Sequence, residues 1–433
     1  MIEIINIFYL FVTFFIIFSF PLNNIFLKKN LKKHNFNIFE IYSFNILCIL
    51  TCFFLLSFFK LNILYVFFVF LGFSLINLFF FDWLKYKKEI PILIILIIFL
   101  LSYSLKISTY PYLEWDASVN WIFKVLNFKY NYSFENLTNV PGIAEYPHLG
   151  TYLWAIFWKA SFIDYEYTGR LVFIFIYLTS FFALVNNLKL NTIKKIFFLI
   201  LIIIISFDRI LLSGYQEPLM FSLCIIFMIL AQKIVNEKKL YLNYLLLILC
   251  ANLILWTKNE GMLILIFLSF FILLKKEITK KNKIILFSLF VILIILKKNI
   301  FLYYFDNFLF GWSGYEFIKI SEFFSYEILQ RLPFLLYQLL ISFIKYPVYI
   351  LFIILMAVTL INVKNLKKHS DFIIFFLINV AMAISIFYLT NDPNWKHHTK
   401  VGLDRMLYQT SGVYLIFIMK FFENFIFKKD NNK

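Results

Sequence analysis

Long apolar runs alternate with short polar segments along the whole chain. "FFLILIIIISF" and "LLLILCANLILW", extended into their flanks, are typical. Many of these runs reach the ~20 residues that a helix needs to cross a ~30 Å hydrocarbon core. The pattern predicts an all-α polytopic membrane protein with about 13 transmembrane helices. They fall roughly at 4–25, 38–59, 61–81, 90–106, 167–187, 193–212, 216–233, 239–256, 260–275, 283–302, 346–363, 371–390 and 408–427. The first run, "MIEIINIFYLFVTFFIIFSF", has no basic stretch before it and no small-residue cleavage site. It reads as a first span and not as a removed signal peptide.

The polar segments orient the spans. Basic clusters occur at 27–33, 85–88, 189–195, 233–239, 275–283, 364–368 and 428–429. All fall on alternate loops, so one orientation places every one of them in the cytoplasm. Lys297 and Lys298, near an outer span end, run against this trend. The outer face then receives 106–166, the turn at 207–217, the turn "WTKNEG" (256–261), and the loops 303–345 and 391–407. Segment 147–162, "PHLGTYLWAIFWKASF", is apolar but short. Counting it as a span would invert every later loop, so it is expected to lie as a helix in the outer interface, with a re-entrant segment as the alternative. No internal repeat is evident. Gly or Pro interruptions at matching places in two halves, a signature of secondary transporters, are missing as well.

Composition agrees with lipid-facing surface. Hydrophobic residues make up 62% of the 433 and charged residues only 15%, against about half and about a quarter in soluble domains. The net charge of +17 comes from lysines clustered between apolar spans. The positive-inside bias accounts for it without a nucleic-acid partner. Aromatics are 22% of the chain, so aromatic clusters carry little information on their own. Cys48, Cys52, Cys224 and Cys250 all lie within apolar spans and read as small buried hydrophobes. No zinc-ligand or disulfide spacing is present.

Chemistry-bearing side chains concentrate in the outer segments. "YLEWDASVNWIFK" (112–124) places Glu114 and Asp116 on either side of Trp115. Their i, i+2 spacing turns them to different sides of a strand or helix, so they are not expected to act as one symmetric pair. A single carboxylate facing a cavity can serve as a general base. Glu217 in "SGYQEPLMF" opens a span beside Pro218, where an acid also meets the positive end of a helix dipole. Lys258 and Glu260 sit in the tight turn "WTKNEG", and a lone lysine there can snorkel to headgroups or hold a phosphate. In "NDPNWKHHTKVGLDRMLYQTSG" the adjacent His397 and His398 have poor geometry for chelating one metal. Arg405 is a candidate oxyanion clamp, or else half of a surface pair with Asp404.

Taken in order, six motifs resemble the GT-C superfamily of membrane glycosyltransferases, in particular bacterial relatives of the protein O-mannosyltransferases and of the lipid A aminoarabinose transferase. They are "EWDASVNWIFK", "YPHLGTYLWAIFW", "YTGRLVF", "GYQEPLM", "WTKNEG" and "DRMLY". The similarity covers about 106–262 and beyond that rests on "DRMLY". The resemblance implies a single GT-C-like transmembrane domain over 1–433. Within it, 1–89 are extra N-terminal spans, 90–275 the recognised catalytic module, and 276–433 the C-terminal spans with outer loops 303–345 and 391–407. It implies that Asp116 deprotonates an acceptor hydroxyl, with Glu217 as a second catalytic acid. Lys258 would contact the donor phosphate and Arg405 the leaving group. Glu114, Glu260, Tyr146 and Arg170 join them as substrate-binding residues. Metal dependence stays open: no cofactor is assigned, a divalent metal is left as an option, and no metal ligands are named.

The expected function is transfer of a sugar from a polyprenyl-phosphate donor to a cell-envelope acceptor. The setting is the periplasmic face of a bacterial inner membrane, with membrane lipid and the lipid-linked sugar as partners. An O-antigen-type polysaccharide polymerase is one alternative. A transporter or flippase is another, and it would place functional charges near the bilayer midplane.

Overall fold

The computed structural model describes residues 2–18, 38–78, 87–188, 190–236, 241–305, 325–360, 363–390 and 393–425. The basic clusters at 27–33 and 428–429 lie outside the described residues. So do parts of those at 85–88, 189–195 and 233–239, the side chains at 364–368, and residues 306–324 of the 303–345 loop. The structure is 84% helical, with no strand among the described residues. Among the described residues, six helices are long and apolar enough to cross a membrane, and six shorter ones are apolar too. This is an all-α membrane protein by length and composition of its helices.

The first helices are α1 (Ile2–Ile17), α2 (Ile38–Leu56), α3 (Ile63–Leu78) and α4 (Ile90–Thr109). Next come α5 (Ile122–Lys129), α6 (Leu149–Ala160), α7 (Tyr167–Asn186), α8 (Thr192–Ser206) and α9 (Glu217–Asn236). They are followed by α10 (Tyr241–Thr257), α11 (Gly261–Leu274) and α12 (Lys280–Phe305). The last are α13 (Tyr326–Leu329), α14 (Arg331–Lys345), α15 (Pro347–Leu360), α16 (Val363–Tyr388) and α17 (Trp395–Phe425).

Helix α7 is buried along its whole length, as expected of a sequence apolar on every face. Helices α1, α2, α4, α6, α8 and α9 pack around it. At the periphery, α4, α12 and α16 bury only 28%, 22% and 28% of their apolar windows, which leaves apolar sides for lipid. The N-terminal helices belong to the same body. Ser57, just after α2, hydrogen-bonds His148 at the start of α6 (2.6 Å), and its carbonyl accepts from the amide of Phe134 (3.0 Å).

Two expectations change. Segment 147–162 does not lie on a surface: α6 buries ten of its twelve residues against α2, α3, α5, α7 and α10. Thr151 and Tyr152 are buried along with the apolar side chains, so this more polar stripe turns into the bundle and not toward water. The 303–345 segment is not simply a loop, since Tyr326–Lys345 is helical and apolar enough to cross a membrane. Helices α14 and α15 run beside α17 in the same direction and bend at Tyr346. Arg331 reaches the carbonyl of Thr390, Lys345 pairs with Asp404, Tyr349 reaches the carbonyl of Leu407 and Phe352 packs on Tyr414.

Candidate active site

Arg170 organises one end of the bundle. It is 1% exposed and donates from Nη1 to the carbonyls of Tyr112 (2.9 Å) and Leu212 (2.6 Å), and from Nη2 to Glu166 Oε1 (2.6 Å). One buried guanidinium thus ties the segment after α4 to the turn before α9. The amide of Glu114 adds a bond to the carbonyl of Ser213 (3.1 Å). Asp116 and Glu217, two and four residues beyond these ties, are thereby brought to the same place.

Asp116 leads into a π-helical turn, Ala117–Trp121, which directs Asp116 and Asn120 into one cavity. Glu217 is the first residue of α9 and has no exposed surface. Its Oε1 accepts from Lys258 Nζ (2.8 Å) and from Arg405 Nε, while Oε2 has no hydrogen-bond partner. Arg405 also donates from Nη1 to Asp116 Oδ2 and lies over the ring of Tyr215, 4.3 Å from its centroid. Lys258 further pairs with Glu260 Oε1 (3.2 Å). Burial acts to lower the Arg405 pKa, but Glu217 and Asp116 outweigh it and hold the guanidinium well above its ordinary value. Arg405 is therefore charged, and both side chains are held from behind by one buried carboxylate.

The cavity in front of this cluster measures about 430 Å³. Its polar lining includes Asp116, Asn120, Lys258, Glu260 and Arg405, and its aromatic wall Trp115, Trp121, Tyr146 and Phe387. Helix α17 contributes His397, His398, Val401, Gly402, Arg405 and Met406, which is the i, i+4, i+8 spacing of one helical face. Gly402 lets that face approach α16, since a Cβ there would meet Phe387 Cζ at 2.9 Å.

The structure thus brings together Asp116, Glu217, Lys258, Glu260, Arg405 and Tyr146. Glu217 stands behind the cavity and does not line it. Arg170 and Glu114 lie outside the lining. Arg170 is occupied as a tie, and a Glu114 oxygen accepts from the Tyr112 hydroxyl (3.3 Å). The Asp404–Arg405 surface pair does not form: Asp404 instead takes Ser342 and Lys345 on α14. Lys297, against the charge trend in sequence, is buried and donates to the carbonyl of Leu255 (2.8 Å).

Sequence reasoning passed over Asn120, Trp121 and Gly402 as cavity-lining residues, and weighed the histidine pair only as metal ligands. Projecting "WKHHTKVGLDRM" onto a helix would have put both histidines on the Arg405 face. Among the described residues, no group of three or more His, Cys, Asp or Glu is placed to hold a metal ion. The four cysteines are free. No protein-family model, curated protein or solved structure matches the chain.

Proposed function

We propose that this cavity is the active site of a GT-C-like glycosyltransferase. In this reading the protein moves a sugar from a polyprenyl-phosphate donor to a hydroxyl on a cell-envelope acceptor, at the periplasmic face of a bacterial inner membrane. One observation carries the reading: Arg405 joins the partly exposed Asp116 to the buried Glu217, with Lys258 on the same Glu217 oxygen.

The chemistry follows from that arrangement. A sugar on a phosphate is already activated, so the enzyme must place the acceptor, take its proton and stabilise the departing charge. Lys258 and Arg405 supply fixed positive charge for the phosphate. Glu217, without solvent contact, is a positioning residue for both cations. Asp116 keeps 24% of its side chain exposed and lines the cavity, so it is the carboxylate that acts as general base. A phosphate drawing Arg405 toward itself releases Asp116 for the acceptor hydroxyl. The hydroxyl oxygen attacks the anomeric carbon as its proton passes to Asp116. The bond from that carbon to the phosphate oxygen breaks with its electron pair on the phosphate, and direct displacement inverts the centre. Trp115, Trp121, Tyr146 and Phe387 offer stacking surface for the sugar. The neighbouring apolar helix surfaces suit a lipid tail.

Placement of the charges also separates this reading from a transporter. Asp116, Glu217 and Lys258 gather where α9 begins and α10 ends, and Arg405 reaches them from the N-terminal part of α17. The test is to incubate purified protein with a radiolabelled polyprenyl-phosphate sugar and envelope glycolipid acceptor. Acceptor-dependent release of free polyprenyl phosphate supports the proposal. No release with any envelope fraction, from protein that is folded by thermal denaturation, contradicts it.

A further inference from the structure

Lys124 on α5 is 1% exposed. Among the described residues no carboxylate lies within ion-pairing distance of it. Its Nζ donates to two carbonyls, Ala144 (2.9 Å) and Tyr146 (2.6 Å), and sits 5.8 and 5.9 Å from the ring centroids of Trp121 and Tyr146. Both rings line the cavity. The carbonyls belong to the segment that supplies Ile143 and Tyr146 to the cavity wall. A second tie holds the same segment: the amide of Ile143 donates to Asn120 Oδ1 (3.3 Å). Gly142, at φ +98°, makes the tight approach to Asn120.

A neutral lysine amine has two N–H donors and this pocket offers two acceptors. An ammonium group has three donors, and a buried charge without a paired carboxylate is costly. We propose that Lys124 is a positioning residue that latches the 142–146 wall in its neutral form, and that opening of the wall is coupled to uptake of one proton by Lys124. Access to the cavity then responds to pH.

Burial pushes the Lys124 amine down to about 7, with Glu145 acting weakly in the opposite direction. In water it returns to the ordinary lysine value near 10.5. Between those values the open wall holds a proton that the closed wall lacks. Falling pH therefore favours opening through this window, and the dependence levels off below about 7. Of the other ionisable groups around it, His148 is held well below its usual range, chiefly by burial. Glu145 and Tyr146 flank the latch, Tyr152 and Lys159 lie on the packed α6, and Glu135 on the 134–139 turn.

The experiment is hydrogen–deuterium exchange of the full-length protein, followed at peptides covering 140–148 with α6 as internal reference. The amides of Ile143 and Tyr146 are the bonded reporters. After correction for intrinsic exchange, wild-type protection rises with pH between about 7 and 9, approaching ten-fold per unit. Lys124→Met and Lys124→Arg, fixed neutral and fixed charged, lose that slope. Wild-type protection that is flat across the window overturns the inference, as does an equal slope in Lys124→Met. If neither variant folds, the wild-type profile decides alone. The readout involves no sugar transfer, so its failure leaves the proposed reaction standing and its success does not depend on it.

Discussion

Arg405 donates a hydrogen bond to Asp116 across 289 residues of sequence. Helix α17 and the segment after α4 are thus joined by one guanidinium. The same guanidinium reaches Glu217, so the cavity floor is a charge chain and not a set of separate loop residues. An arginine fork presents Nε and Nη1 to two carboxylates at fixed angles, whereas a lysine ammonium is one freely rotating point charge.

Arg405→Lys should therefore not be conservative. It keeps the charge but gives up one of the two carboxylates. Transfer activity is expected to fall by about 10²–10³, as when an electrostatic stabiliser of a transition state is removed. Comparing donor turnover by Arg405→Lys and wild type at equal membrane abundance checks this.

Glu217→Gln leaves Lys258 and Arg405 without their shared buried anion. Breaking a buried pair in this way costs about 3–5 kcal/mol, and a clear drop in the denaturation midpoint in detergent is expected. Adding Lys258→Met should restore part of the loss, because one of the two cations that lost their shared buried anion is then gone. Restoration of nothing by the second change would count against the pairing.

Arg170→Lys separates a tie from a ligand-binding residue. Lysine cannot reach the Tyr112 and Leu212 carbonyls and Glu166 together with the same geometry. The folded yield should fall, while the protein that does fold keeps its donor affinity. A large rise in KM with unchanged yield would return Arg170 to the substrate.

Gly402→Ala puts a methyl group 2.9 Å from Phe387 Cζ and forces that ring to shift at the cavity wall. Activity should fall with little change in folded yield. Phe387→Leu in the same protein should recover it by making room, and activity assays on the two variants side by side test this.

Much of the site was legible in the sequence, for a physical reason. Ionisable groups at the ends of apolar spans are few and costly, so Asp116, Glu217, Lys258 and Arg405 stood out. Their partners were not legible. Asp404 and Arg405 look like a natural pair when written side by side, but adjacent helical residues point about 100° apart. Asp404 turns to α14 and Arg405 to the cavity. Arg170 could not be recognised as a tie because, besides Glu166, its partners are the loop carbonyls of Tyr112 and Leu212, and every residue carries a carbonyl. The helical character of the chain was plain from its apolar runs. That α6 is enclosed by other helices was not, because burial of its Thr151 and Tyr152 side is decided by the packing of α2, α3, α5, α7 and α10 around it. Lys124 stayed hidden because nothing in "WIFK" tells a snorkelling lysine from a buried one.

The most direct test of the central claim is complementation of a deletion strain by Asp116→Asn, with mass spectrometry of envelope glycolipids and polysaccharide. The substitution removes the base and keeps an acceptor oxygen for Arg405. A sugar lost on deletion should be restored by wild type, and not by Asp116→Asn at equal membrane abundance. Full restoration by Asp116→Asn would contradict the account: Asp116 would then be a structural partner of Arg405, and the cavity would need another base or another function.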